Sequence, residues 1–197
     1  MTFKTEITRD DILSIEDYSK QRQQSKDRIK LIKAHRRVGV GPDATFYFEN
    51  YDTMLYQIHE MLFIEKGGDD QLTDELEAYN PLIPNGRELV ATMMFEIDDP
   101  IKRTDFLNKM GGVENHIFLT IGDDKIKAVA EDDVDRTSAS GKASAIQFIH
   151  FPLSNDQVTR FSDNNTQVIL SIEHDHYGHM AILNSDTRDA LAIDFSS

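Results

Sequence analysis

Residues 173–179 read Glu-His-Asp-His-Tyr-Gly-His and hold three of the chain's seven histidines beside two carboxylates. Neutral imidazoles suit zinc and other late first-row divalent ions, and three of them plus a water form the open site of a metal-dependent enzyme. His174, His176 and His179 are therefore the candidate metal ligands, with a divalent metal as the candidate cofactor. Glu173 or Asp175 would act as base or would orient a ligand. Familiar metal patterns fail on missing parts. An HxHxDH string would need aspartate where Gly178 stands, and only eighteen residues follow His179 to bring further ligands. An HExxH beginning at His59-Glu60 would need histidine at Phe63, and the ExxH of helical di-iron sites occurs once, at Glu173 and His176. The competing reading is a polar hairpin tip whose histidines bond to backbone and water. Spacing without a second ligand cluster favours that plainer reading.

The hairpin that carries the cluster decides its geometry. Val168, Leu170 and Ile172 alternate with Ile169, Ser171 and Glu173, which is the period of a strand. His174 and His176 continue the Val168 face. With Tyr177-Gly178 as a two-residue turn and the glycine at positive φ, His176 and His179 become a cross-strand pair. All three imidazoles then share a face, and Glu173 and Asp175 point away from it.

Upstream, Thr8-Arg9-Asp10-Asp11 reads as a helix start, and a long basic helix or helix pair follows to about Arg36. Gly39-Val-Gly-Pro-Asp-Ala44 fits a glycine-rich phosphate fingerprint in letters alone. A strand, Thr45 to Phe48, follows it where a helix is required, so it reads as a turn. Asn50 caps a helix to about Lys66 with Met54, Leu55, Ile58, Met61 and Leu62 as its buried stripe. A shorter helix ends at Asn80-Pro81. Glu88 to Asp98 is a strand, and Pro100 opens a helix to Lys109. Ile117–Ile121 and Lys125–Ala130 form a hairpin, and Ala145–Phe151 is another strand. A short helix from Asn155, the 167–184 hairpin and a helix from Ser185 complete the chain. Hairpins with helices set between them predict an α+β fold, residues 1–197 as a single domain, with helices packed on a mostly antiparallel sheet.

Composition narrows the chemistry. The chain has 197 residues and no cysteine, which excludes disulfides, thiol catalysis and a self-ligated iron–sulfur cluster. No run of apolar residues is long enough to span a membrane, and the first residues lack a signal peptide's pattern, so a cytoplasmic location is expected. The net charge of −14 is divided unevenly. Residues 1–37 carry ten Lys/Arg against six Asp/Glu, and the remainder carries eleven against twenty-nine. A basic helix invites nucleic acid. Here the acidic remainder repels phosphates and no aromatic interleaves the basic run, so no nucleic acid is expected and the helix should dock on its own domain. Ser138, Ser140 and Ser144 lie in a polar stretch without a nucleophile elbow.

Three blocks, FENYDTMLYQIHEML (48–62), ELEAYNPLIPNGRELVATMMFEI (75–97) and DRTSASGKASAIQFIHFPL (135–153), resemble an uncharacterised bacterial family known as domain of unknown function 3501. The resemblance runs over nearly the whole chain and brings no catalytic residues with it. It implies a genomic setting beside a rubrerythrin-like di-iron protein and an iron–sulfur oxidoreductase, and hence an accessory role in a redox system. Three functions stay open at this point. One is a non-catalytic partner protein of that system; another is a metal-binding protein, enzymatic or not, using the histidine cluster. A third is a small-ligand domain with its pocket beside Glu49, Gln57 and Glu60.

Overall fold

The computed structural model describes residues 4–131 and 141–196. It has six α-helices and two antiparallel sheets among those residues. Ser138 and Ser140 lie outside the described residues.

The N-terminal basic segment is one helix, α1 (Ile15–Lys33). Thr8 does not start it. Thr8 and Asp11 bond to each other around a single 3-10 turn, and the helix begins only where the Ser14 side chain accepts the Asp17 N–H. Along this segment Tyr18 and Ile29 are buried, whereas Leu13, just before the helix, and Ile15 are exposed. The reason is that α1 touches the protein along one seam, against α2 (Tyr51–Glu65). Asn50 caps α2 by accepting the Thr53 N–H, and Lys66 closes it in the left-handed region at φ 58°. Then α3 (Gly68–Tyr79) folds back, and Asn80 clasps the backbone of Ile7 from both sides at 2.8 and 2.9 Å.

One sheet runs in the order β1 (Arg37–Val40), β2 (Ala44–Glu49), β3 (Glu88–Phe95), β7 (Ile146–Pro152), β6 (Val129–Ala130). The other is β5 (Asp124–Lys127), β4 (Ile117–Ile121), β8 (Val168–His174), β9 (Tyr177–Ile182). Two sheets thus stand where the sequence suggested one. The strand β1 was not legible, being four residues with a glycine inside. The chain crosses between sheets at Ala128, whose N–H donates to the Ile117 carbonyl at 2.9 Å. Period-two alternation puts Phe46, Phe48, Leu89, Met93 and Phe151 of the first sheet against Leu119, Leu170 and Ile172 of the second. This is the main core. The opposite face of the first sheet presents Val90 to Met54, Ile58 and Leu62 of α2, forming a second core. The layers are therefore α1, then α2 with α3, then one sheet, then the other. α4 (Pro100–Leu107), α5 (Asn155–Ser162) and α6 (Ser185–Ala192) fill the edges.

Candidate functional site

The expected hairpin is present, with its turn displaced. Register pairs Ile172 with His179, Glu173 with Gly178 and His174 with Tyr177, so the two-residue turn is Asp175-His176 and not Tyr177-Gly178. Gly178 has no positive φ and sits in the strand. Tyr177 causes the shift. Its ring is buried edge-on between Phe95 and Phe106 at 5.8 and 5.6 Å. Its hydroxyl donates to the Val40 carbonyl at 2.7 Å and accepts the N–H groups of Asp43 and Ala44 at 3.0 Å. A residue so fastened cannot occupy an exposed turn. Gly41, in the β1–β2 turn at φ +73°, lies beneath it; a Cβ there would come within 2.6 Å of the Tyr177 hydroxyl and of the His179 ring.

The displaced turn leaves His174 and His176 near each other and sets His179 against Tyr177. His174 accepts the His176 N–H through Nδ1 at 3.3 Å, and its ring meets His116 edge-on at 5.3 Å. His176 is exposed in the turn, with its ring centroid 5.8 Å from that of His174. His179 instead packs on Tyr177 at 4.5 Å, over Gly41. Among the described residues no three His, Asp or Glu side chains are grouped so as to hold a metal ion. Glu173 faces outward as expected, and the Lys125 ammonium 2.6 Å away holds its carboxyl below the usual range.

Two other histidines, His59 of the incomplete HExxH and His150, are more deeply committed. His59 of α2 stacks on Tyr18 at 4.7 Å and lies between the Leu55 carbonyl on Nδ1 and the Leu13 N–H on Nε2. That pattern fixes the neutral tautomer protonated on Nδ1, and burial lowers its pKa. His150 of β7 is the reverse case. Glu88 stands 3.0 Å from Nδ1 and Glu131 2.9 Å from Nε2. Burial alone would lower its pKa; the two carboxylates, Glu88 foremost, raise it.

Glu49, Gln57 and Glu60 do not form one pocket wall. Glu60 turns to α1, where Arg22 grips both oxygens at 2.8 and 2.7 Å and Tyr18 donates at 2.7 Å, holding its carboxyl at about 2. Glu49 turns to the sheet and takes the Thr92 hydroxyl. A wide concavity lies elsewhere, a groove of about 850 Å³ bounded by the start of α2, the 83–84 loop and the C-terminal residues Ile193–Ser196. A smaller hollow of about 140 Å³ continues it along the α1–α2 seam. Asp194 lies at the groove and is 4% exposed. One of its oxygens takes Arg36, which also donates to the carbonyls of Phe48, Glu49 and Ala190. Burial raises the Asp194 carboxyl to about 6 against the pull of Arg36. No local pattern announces this pair, whose members are 158 residues apart.

The profile of the family described as "Protein of unknown function (DUF3501)" matches residues 6–195. The chain belongs to that family. No curated protein matches it. Among solved structures it is similar to the crystal structure of a novel protein of unknown function from Burkholderia pseudomallei K96243. The two share 34% identity over 96% of this chain and 99% of that one, with a TM-score of 0.89. The two proteins therefore share one fold, two antiparallel sheets with the α1–α2 layer outside them. No helix among the described residues is long and apolar enough to cross a membrane.

Proposed function

We propose that this member of the family is a non-catalytic partner protein of a cytoplasmic redox system. The redox setting is what the family resemblance implies. The observation that supports a docking role is the charge left over on α1 once its internal pairs are made. Arg22 pairs with Glu60, Arg28 with Asp52 and Lys20 with Glu16 and Asp17. Lys30 and Lys33 make no ion pair among the described residues, and Lys26 acts on Glu60 only at a distance. Spacing of four and three puts these lysines in one row. A cationic row on a strongly acidic molecule orients an approaching acidic partner and speeds encounter more than it adds affinity.

The test is affinity capture from native cells with the tagged protein and with a Lys26→Gln/Lys30→Gln/Lys33→Gln variant. Recovery of a rubrerythrin-like or iron–sulfur oxidoreductase protein by wild type, reduced in the variant and at high salt, is the expected result. Recovery of neither, or equal recovery by the variant, overturns the reading. Salt-sensitive binding of RNA through the same lysines would replace it. The alternative, metal binding through His174, His176 and His179, requires the His179 ring to leave Tyr177. Zinc titration of wild type against a His176→Ala/His179→Ala variant tests it, and equal affinities are expected.

A further inference from the structure

We propose that the groove between α1, the start of α2 and the C-terminal segment binds a small organic ammonium ion carrying an apolar body. The inference is independent of the partner reading. The groove's volume, about 850 Å³, falls within the ~300–1,000 Å³ of small-molecule sites. Leu55, Ile83, Pro84 and Phe195 supply apolar wall, and Ile193 stands at the rim 73% exposed.

The sign of the ligand follows from which polar groups still have capacity. The wall's cations are each paired, and Lys4 and Arg28 are exposed enough for water to take their remaining donors, which leaves the buried groups to decide. Lys4 donates to Asp11 at 2.7 Å and to the Tyr51 hydroxyl at 3.1 Å, and lies over the Tyr51 ring. Arg28 donates to Asp52 at 2.6 Å, and Arg36 is spent on three carbonyls and Asp194. Carboxylate oxygens remain. Arg36 occupies Oδ2 of Asp194, and Oδ1 has no partner among the described residues. That oxygen is not one of the atoms sealed from solvent without a partner, so it opens onto the groove that Asp194 lines. Asp52 likewise gives one oxygen to Arg28 and keeps the other. Asn50, whose Oδ1 caps α2, adds one amide N–H for an oxygen on the ligand. An ammonium satisfies the two open carboxylate oxygens; an anion would face them. The molecule's net charge of −14 raises the local concentration of cations further.

Binding of n-hexylammonium, followed by methyl and amide NMR shifts at constant ionic strength, tests the proposal, with hexanoate and hexan-1-ol as probes of the same shape. Saturable shifts confined to Leu55, Ile83, Ile193 and their neighbours are expected with the ammonium, and at least about tenfold weaker binding with the other two. Asp194→Asn should weaken the ammonium by a similar factor. Because that change leaves Arg36 without its counter-charge, Ile193→Lys is the second variant: at an exposed position it tethers an ammonium at the rim and should compete about tenfold without altering the melting temperature. Affinity should also rise as pH passes through about 6, where Asp194 ionises. Its charged and titrating neighbours are Arg36, His35, Arg28, Asp52, Lys4 and Asp11, so the profile is repeated in His35→Asn. Equal binding of all three probes, shifts scattered over the acidic surface, no saturation, or wild-type affinity in Ile193→Lys overturns the proposal.

Discussion

At the scale of single residues, His59 and His150 show how one side chain takes opposite charge states in one protein. Nε2 of His59 must stay unprotonated to accept the Leu13 N–H that ties the N-terminal segment to α2. Its folded pKa lies below the ordinary 6.5, burial being the cause. As pH falls, the unfolded chain takes up this proton first, so stability is lost below about 6.5. His150 has carboxylates on both ring nitrogens, and a neutral imidazole could donate to only one of them. Its folded pKa lies above 6.5. Its contribution is complete below about 6.5 and disappears as pH rises through the folded value. Urea denaturation from pH 5 to 8 should therefore show His59→Gln removing part of the acid-side loss and His150→Gln part of the loss on the neutral side. Identical pH profiles for wild type and both variants would contradict the assignment.

Among elements, the β8–β9 hairpin separates what sequence can show from what it cannot. The alternation of Val168, Leu170 and Ile172 located the strand, because burial of one face is written at a spacing of two. Asn50, Pro100 and Asn80-Pro81 located helix ends for equally local reasons. The turn was misplaced because its position depends on Tyr177, whose hydroxyl partner Val40 lies 137 residues away. A two-place difference in turn position decides whether His176 stands across from His179 or in the exposed turn itself, so the candidate site was the least legible part. Tyr177→Phe should cost about 2–3 kcal/mol by leaving two backbone N–H groups without their acceptor. Gly41→Ala should cost a similar amount, since alanine meets both the positive φ and the Tyr177–His179 contact. His176→Ala, in the exposed turn, should stay within about 0.5 kcal/mol of wild type. Chemical denaturation of the three variants orders them, and a His176 effect as large as the Tyr177 effect would show that the tip is structurally engaged after all.

For the whole molecule, the divided charge seen in the sequence becomes a set of ties between layers. Arg9–Asp69, Arg22–Glu60 and Arg28–Asp52 join the N-terminal part to α2 and α3, and Arg37–Glu96 joins two strand ends. Most of these are exposed enough that each contributes roughly 0–1 kcal/mol. Arg36–Asp194 differs in kind, with its side chains 3% and 4% exposed. Arg36 holds the end of β2 through the Phe48 and Glu49 carbonyls, α6 through Ala190 and the C-terminal segment through Asp194. Asp194 is raised to about 6 because burial outweighs the attraction of Arg36. Its own contribution is thus greatest below the ordinary 3.8 and declines as pH rises through about 6. The pair should serve specificity of closure more than net stability. Removing either partner strands the other: Arg36→Met or Asp194→Leu alone should cost about 3–5 kcal/mol. The double variant, which leaves no buried charge, should cost much less than the sum, and the cycle measured by urea denaturation gives the coupling directly. Its amide exchange should distinguish the roles. If the pair fixes closure, residues 190–196 exchange faster in the double variant while the sheet core keeps its protection; unchanged exchange there, or additive losses in the cycle, would reduce Arg36–Asp194 to one more ion pair among many.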